Sequence, residues 1–347
     1  MNSSGRVSIK DVARLANVSQ GTVSHVLNHP DRVSPVRREA VEKAIRELGF
    51  VRHEAARHLR AGYSSTVGLL LLDAWNPGFT EVARGVEDTT MDQGWTVVIS
   101  NSARDIEREK TYLRLFYEQR VAGLIVVPHD QSADDLHQIR SGGAPVVVVD
   151  RPETGDHGMS VAVDDVAGGE LAARHLISLG HRHVAFIGDE AAAAPVHARL
   201  IGVRKAVAEA GVDIRLDVIP AELTAEAGRE TGEMLAAMPA GKRPTAVAAA
   251  IDLLAIGVLQ AFLQHGIGVP DDISLCGYDD IPFTRQLSVP LTTVHRSHYD
   301  MGTTAAEMLT SALSGQVPDL RHVVFQPELV VRQSTGPVQP RSRRRTR

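Results

Sequence analysis

The chain of 347 residues carries a single cysteine, Cys276, so no disulfide can form within it. Aromatic residues make up only 4%, which leaves aliphatic side chains to fill the core. No apolar run reaches the roughly 20 residues that span a bilayer. The richest, "TVGLLLLDAW", is interrupted after a few positions. The N-terminus lacks the continuous apolar segment of a secretory leader, and the expectation is a soluble cytoplasmic protein with no membrane partner. "GLLLLDAWNPGF" has no glycine fingerprint after its strand, which argues against a dinucleotide-dependent oxidoreductase. "GHRH" reads as a turn between helix and strand, without a cysteine or acidic partner close in sequence, so no metal site is expected. Cys276, inside "ISLCGY", reads as a small buried residue and not as a nucleophile. No enzyme signature and no cofactor site emerge.

What is present is unevenly distributed. Hydrophobic residues make up 43%, enough for more than one core. Residues 1–62 hold 11 Lys/Arg against 6 Asp/Glu, a surplus of five positive charges, which leaves the remainder at −10 for the overall −5. A basic head on an acidic body is the asymmetry expected when one small domain meets a polyanion.

Within that head, "SIKDVARLANVSQGTVSHVLN" starts with Ser8 three residues before Asp11, an acidic form of the capping pattern. A first helix follows, with Ile9, Val12, Ala13 and either Leu15 or Ala16 on one face. Asn17, which tolerates left-handed backbone, is the expected corner. Ser19 caps a second helix that buries Val23, Val26 and Leu27. Ser34 and Pro35 open a third, "PVRREAVEKAIRELGF", with Val36, Ala40, Val41, Ala44, Ile45 and Leu48 facing inward and Gly49 at its end. The outward face of the second helix is then Gln20, Gly21, Thr22, Ser24, His25 and Asn28, with Arg37, Arg38 and Lys43 nearby. An ordinary wet helical face would not need to be so short and so rich in hydrogen-bonding groups; a helix that enters the major groove would. "FVRHEAARHLRAG", residues 50–62, is too short to hold a helix alone. It is suited to fold on DNA and against a symmetry mate, with Leu59 as an apolar wedge.

From Thr66 the period changes. "TVGLLLLD", "WTVVIS", "VAGLIVVP" and "APVVVVD" alternate with amphipathic helical stretches, and the alternation repeats through "MSVAVD", "HVAFIGD", "DVIPAEL", "TAVAAA" and "ISLCGYDD". Buried strands between helices imply parallel sheets covered on both faces, in two doubly wound lobes. The segment from "LTTVH" to "LTSALSG" is expected to cross back into the first lobe, and "RHVVFQPELVVR" to end in the second. Ligands of such sheets sit at strand C-termini. That selects Asp73, Asn76 and Phe79 in the first lobe, Asp150 and Arg151 at the crossing and Asp279 in the second, joined by Arg199 from a helix start. Carboxylates and guanidinium forks paired with an aromatic face suit a polyol. Taken singly, each carboxylate also reads as a helix cap, Arg199 as a surface ion pair and Phe79 as core.

The chain closely resembles the LacI/GalR family of bacterial transcription regulators. "SIKDVARLANVSQGTVSHVLN", "AIRELGF", "AARHLR", "GHRHVAFIG", "RPTAVAAAIDLLAIGVLQAF", "VPDDISLCGYDDIPF" and "PLTTV" stand in the family's order, from about Ser8 to Gly336. The resemblance implies an N-terminal all-α helix-turn-helix domain (1–49), a hinge helix (50–63) and a periplasmic-binding-protein-like α/β effector domain (64–335), followed by a basic disordered tail (336–347). Lobe 1 is expected at about 64–161 and 292–320, lobe 2 at about 162–291 and 321–335. By the same resemblance Gln20, Gly21 and His25 choose bases, Thr22, Ser24 and Asn28 hold the backbone, and Leu59 is the hinge wedge. Candidate DNA contacts are these with Ser8, Ser19, Ser34 and Arg37 in the head, and His53, Ala56 and Arg57 in the hinge. The candidate effector set is Asp73, Asn76, Phe79, Asp150, Arg151, Arg199, Ile251, Asp279 and His298. The expected activity is a repressor that binds a palindromic double-stranded operator as a homodimer and answers to a small molecule, a sugar or sugar derivative by family. The alternative is a solute-binding or catalytic α/β protein for a sugar-like molecule.

Departures from the family pattern bear on both sites. His25 stands in place of an arginine, Gly21 supplies no side chain, and Arg52-His53 replace Pro-Asn. Gly78 replaces an aromatic of "NPFF", and Ile251 the asparagine of "AND". A branched alkyl in place of an amide leaves a ligand hydroxyl without its partner, at a cost on the order of 1 to 3 kcal/mol.

Overall fold

The computed structural model describes residues 7–50, 65–129, 133–153, 158–189, 191, 193–316 and 320–339. Two compact units make it up, Met1–Ser64 and Ser65–Arg347.

The first unit contains α1 (Ile9–Leu15), α2 (Gln20–Asn28) and α3 (Pro35–Leu48), with a single 3-10 turn at Pro30–Arg32. Ser8 donates to the Asp11 carboxylate from both its backbone N–H (3.0 Å) and its hydroxyl (2.6 Å). These bonds hold the Asp11 carboxyl below its usual pKa. Asn17 turns the chain at φ 50°, and Gly49 ends α3 at φ 60°. Val12, Ala13, Val23, Val26, Val41 and Ala44 form the core, flanked by Ile9, Ala16, Leu27, Ile45 and Leu48. Ala16, and not Leu15, completes the inward face of α1. Val36 is 79% exposed, contrary to expectation. It lies five residues before Val41, which on a helix is about 140° around the axis from the buried seam.

The second unit has two lobes, each built on a six-stranded sheet. The first sheet runs β2 (Thr96–Asn101), β1 (Thr66–Leu71), β3 (Gly123–Val126), β4 (Val146–Val149), β5 (Met159–Val163) and β11 (His322–Phe325). The second runs β7 (Arg215–Ile219), β6 (His183–Ile187), β8 (Ala246–Ala249), β9 (Ser274–Asp279), β10 (Thr292–His295) and β12 (Glu328–Val330). All pairings are parallel except β10 with β12. The connecting helices are α4 (Pro77–Met91), α5 (Ile106–Glu118), α6 (Ala133–Ser141), α7 (Asp165–Ser178), α8 (Ala194–Ala208), α9 (Ala225–Ala237), α10 (Asp252–Gln264) and α11 (His298–Leu313). No helix among the described residues is long and apolar enough to cross a membrane.

Three helix pairs, α7 with α8, α9 with α10 and α4 with α11, cross at small residues. A methyl group on Gly169 would overlap the Arg199 carbonyl, and one on Gly202 the Val166 carbonyl. Gly228 and Gly257 face backbone across the second pair in the same reciprocal way, as do Gly85 and Gly302 across the third.

The lobe boundaries differ from those read in the sequence. Strand β5 belongs to the first sheet and not to the repeat that follows; β10 belongs to the second, and "HVVF" pairs with β5 in the first. The chain therefore crosses between lobes at Asp164, at Arg296–Ser297 and between Phe325 and Glu328. Asp150 and Arg151 end β4 and do not lie at a crossing. The reason is physical: strands buried on both faces look alike in sequence and carry no mark of the sheet they join. Residues 336–338, read in the sequence as part of the tail, are bonded to the second lobe. Gly336 exchanges hydrogen bonds with Ser274 and accepts from His181, and Val338 N–H donates to Leu179 O (3.0 Å). Residues 340–347 lie outside the described residues.

Candidate functional site: a helical reading face and an interlobe cleft

On the first unit, the Ser19 hydroxyl accepts from Thr22 N–H (3.1 Å) and lies 3.0 Å from the Thr22 hydroxyl, so the start of α2 is fixed by two candidate contact residues. Gln20, Gly21 and His25 are exposed, and Thr22 and Ser24 half-buried. An added Cβ at Gly21 would meet nothing nearer than Ser19 Oγ at 3.6 Å, which leaves this position open to a close approach. The His25 ring sits edge-on to that of His29, 6.4 Å between centroids, a neighbour that sequence reasoning passed over. Arg37 is exposed. Ser34 precedes α3, yet its side chain makes no cap bond. The Asn28 side chain, and His53, Ala56, Arg57 and Leu59, lie outside the described residues. Ser19→Ala is expected to lower the stability of the head by about 1 kcal/mol through the lost cap. An unchanged melting curve of the head would contradict the assigned bond.

On the second unit, a cleft opens between the lobes at the C-terminal ends of the strands. Its empty space, open solvent at the mouth included, is about 650 Å³. Asn76, Phe79, Asp150, Arg151, Arg199, Ile251 and Asp279 all line it. Asp73 and His298 do not. Asp73 pairs with Arg104 (3.1 Å), and Arg104 lines the cleft instead. The His298 ring packs on Gly78, where an added Cβ would approach its Nε2 to 2.6 Å. The aromatic position missing from the first lobe is thus closed by a histidine from α11, which burial keeps neutral.

Each cleft residue is positioned by its element. Asn76 caps α4 through Gly78 N–H (2.9 Å) and turns its amide toward Asp279 (3.4 Å) on the other lobe. Arg199, on α8, donates to Asp165 (2.8 Å) and to the Ala250 carbonyl (2.7 Å), and its guanidinium lies 3.8 Å from the centroid of Tyr278. Tyr278 in turn donates to Asp165 (2.9 Å). Burial pushes the Asp279 carboxyl up to about 6, partly offset by Arg199 and Asn76. Ile251 is 3% exposed and precedes α10 without a side-chain cap.

Besides Arg104, Arg296 and Asp252 of this region were missed in the sequence. Arg296 lines the cleft from the second crossover, reaching the Asp150 carboxylate and Asp279 (3.5 Å). Burial lowers it to about 9, which leaves it charged at neutral pH. Asp252 is buried and accepts from Ile281 N–H (2.9 Å) and the Thr293 hydroxyl (2.7 Å), which sets the loop that follows Asp279. Asp150, Asp279 and Arg104 hold positive φ values of 66°, 118° and 60°. Non-glycine residues adopt such backbone only where the surroundings enforce it, and binding sites are where this clusters. Cys276 is fully buried with its thiol pushed up, consistent with a packing role. His181, of "GHRH", bonds Thr245, Ser274 and Gly336, and His183 pairs with Asp217 (2.7 Å), so both serve the second lobe's framework.

Residues 8–53 match the model for bacterial regulatory proteins of the lacI family, and residues 173–335 that for a periplasmic binding protein-like domain. The HTH-type transcriptional repressor PurR of Aliivibrio fischeri (strain MJ11) is 33% identical over 328 residues, covering 94% of this chain and 97% of the relative. Among solved structures, the lac repressor dimer bound to operator and the anti-inducer ONPF superposes with a TM-score of 0.79 at 26% identity, over 95% of this chain and 99% of that one. A LacI family transcriptional regulator from Enterococcus faecium with bound ribose gives 0.73 at 28%, over 79% and 100%. With a helix-turn-helix head of the right face and a two-lobed body holding a cleft between its lobes, the chain belongs to the lacI family of bacterial regulatory proteins and is a ligand-responsive, DNA-binding transcription repressor.

Proposed function

We propose that this repressor grips a palindromic operator as a homodimer, each head laying α2 in the major groove, while a small molecule in the interlobe cleft sets the affinity. The observation that carries the reading is the exposed row Gln20, Gly21 and His25 on a helix whose other face is core. One head offers few phosphate contacts, and two heads reading half-sites supply the affinity that a specific site needs. Hinge segments from both protomers, including His53, Ala56, Arg57 and Leu59, complete the grip in the minor groove. The protein works in the cytoplasm, where its operator lies, and it binds its effector without transforming it.

The operator differs from the family pattern at the base pair that His25 faces. An arginine fork on guanine is worth roughly 1 to 3 kcal/mol of discrimination, of which a neutral imidazole supplies part. Selection from random duplex DNA, run with and without a metabolite panel, tests the whole reading. Enrichment of an inverted repeat supports it; no enrichment at moderate salt, with every metabolite present or absent, overturns it.

For the effector, the relative holding ribose suggests a sugar-like molecule. The carboxylates of Asp150 and Asp279 and the Asn76 amide suit hydroxyls, whereas Ile251, Leu223, Val196 and Phe79 offer an apolar wall. We therefore assign a less hydroxylated ligand than a simple hexose. Ile251→Asn is expected to gain a sugar-induced thermal shift of several degrees that the wild type lacks. A strong shift in the wild type with common sugars would count against the assignment.

A further inference from the structure

Arg296 stands on the second crossover, between β10 of the second lobe and α11 of the first. It is 3% exposed. One guanidinium thus joins Asp150, at the end of β4 in the first lobe, to Asp279, at the end of β9 in the second. Its third nitrogen, Nε, is buried and has no hydrogen-bond partner among the described residues. Both carboxylates stand on left-handed backbone. A buried donor left unmade costs free energy, and any rearrangement that gives it an acceptor recovers that cost. The three-residue link is therefore held but not fully satisfied. Arg296 is also the wall between two spaces: it lines the cleft on one side, and on the other a wider cavity with Glu81, Arg84, Asp280, Arg285 and Tyr299.

We propose that Arg296 is the positioning residue that couples an occupied cleft to the arrangement of the lobes, by clamping Asp150 to Asp279 until a ligand's acceptor oxygens compete for its guanidinium. The proposal rests on the reading of the cleft as the effector site. The ligand chemistry it calls for is a pair of acceptor oxygens, a carboxylate or vicinal hydroxyls, that matches the guanidinium fork. Binding free energy then shifts the lobes because it differs between the clamped and released arrangements. A plain buried ion pair would stabilise the fold without any such coupling.

The test uses the full-length protein carrying Arg296→Met, Asp150→Asn or both, with no ligand added. Hydrogen exchange followed by mass spectrometry reads the three crossover segments, around Asp164, Arg296–Ser297 and Phe325–Glu328. Fluorescence anisotropy reads affinity for the selected operator. Each single substitution is expected to raise exchange in the crossovers at least tenfold while β1, β3, β6 and β8 stay protected, and to move operator Kd at least fivefold. The double variant is expected to match the singles, because one clamp is broken once. A lowered melting temperature with unchanged crossover exchange and unchanged Kd would reduce Arg296 to a structural ion pair and overturn the proposal. Asp150→Asn keeps the side chain's shape, so it gives the answer if Arg296→Met does not fold. Should no operator be selected at all, the DNA-binding reading fails while the exchange measurement still decides the clamp.

Discussion

Arg199→Met is expected to cost about 3–5 kcal/mol of unfolding free energy, because it removes a buried cation that Asp165 and Asp279, both nearly buried, share. Asp165 loses its 2.8 Å partner, Asp279 loses a cation 4.0 Å away, and the Ala250 carbonyl and the Tyr278 ring lose their cation as well. Arg199→Lys is expected to restore little, since an ammonium cannot present the planar fork that serves Asp165 and the carbonyl together. The effect has a pH signature. Asp279 already titrates at about 6 in the fold against 3.8 for the free group, and removing Arg199 raises it further. A carboxyl whose folded pKa is raised binds its proton more readily folded than unfolded. Its contribution is most favourable below the unfolded value and is lost as pH rises through the folded one. The deficit of the variant is therefore expected to shrink as pH falls from 7 toward 4. Urea unfolding at pH 7 and pH 5 checks this: the midpoint falls with an unchanged slope, and falls less at the lower pH. A deficit that grows on acidification would place the loss elsewhere.

The contrast between Arg199 and Arg296 shows where sequence ceases to be informative. Arg199 sits in a helix whose inward face can be counted, and its neighbour Asp279 ends a strand that is buried throughout, so helix and strand periodicity reach both. Arg296 lies in "HRSH", four polar residues of the segment expected to cross back into the first lobe, of which only His298 is a candidate residue, yet it is Arg296 that the crossover carries into the cleft wall. Nothing local marks it. Asp73 and Asp279 look equivalent at their strand ends, but only Asp279 faces the cleft; Asp73 turns to Arg104, a residue at φ 60° after β2 that no periodicity selects. The head is the opposite case. Ser8, Asn17, Ser19, Pro35 and Gly49 each fix a boundary through local chemistry, and the structure places each at the turn or helix end that this chemistry requires. Local rules thus determine helices and caps, whereas the partner of a buried strand or charge is decided by contacts distant in sequence, 146 residues apart for Arg296 with Asp150.

Gly169→Ala and Gly202→Ala are expected to destabilise by about 1–3 kcal/mol each, and by much less than the sum when combined. Each methyl group would strike a backbone carbonyl of the facing helix, Arg199 for Gly169 and Val166 for Gly202. A carbonyl in a helix cannot rotate away, so the remedy is to move α7 and α8 apart. Once the first substitution has separated them, the second finds room already made. The cost of separation falls on buried contacts at this interface, among them Ala172, Ala173, Leu200 and Val203. It also draws Arg199, which lies on the same helix, away from Asp165 at the start of α7. Gly257, at the crossing of α9 with α10, meets Ala225 and shares none of these contacts. Gly169→Ala with Gly257→Ala is therefore expected to add within about 0.5 kcal/mol, as independent sites do. Chemical denaturation of the three singles and two doubles measures both cycles. Full additivity within the 169/202 pair would mean that each methyl is absorbed locally, without movement of the helices, and would remove close helix approach as the reason these positions are glycine.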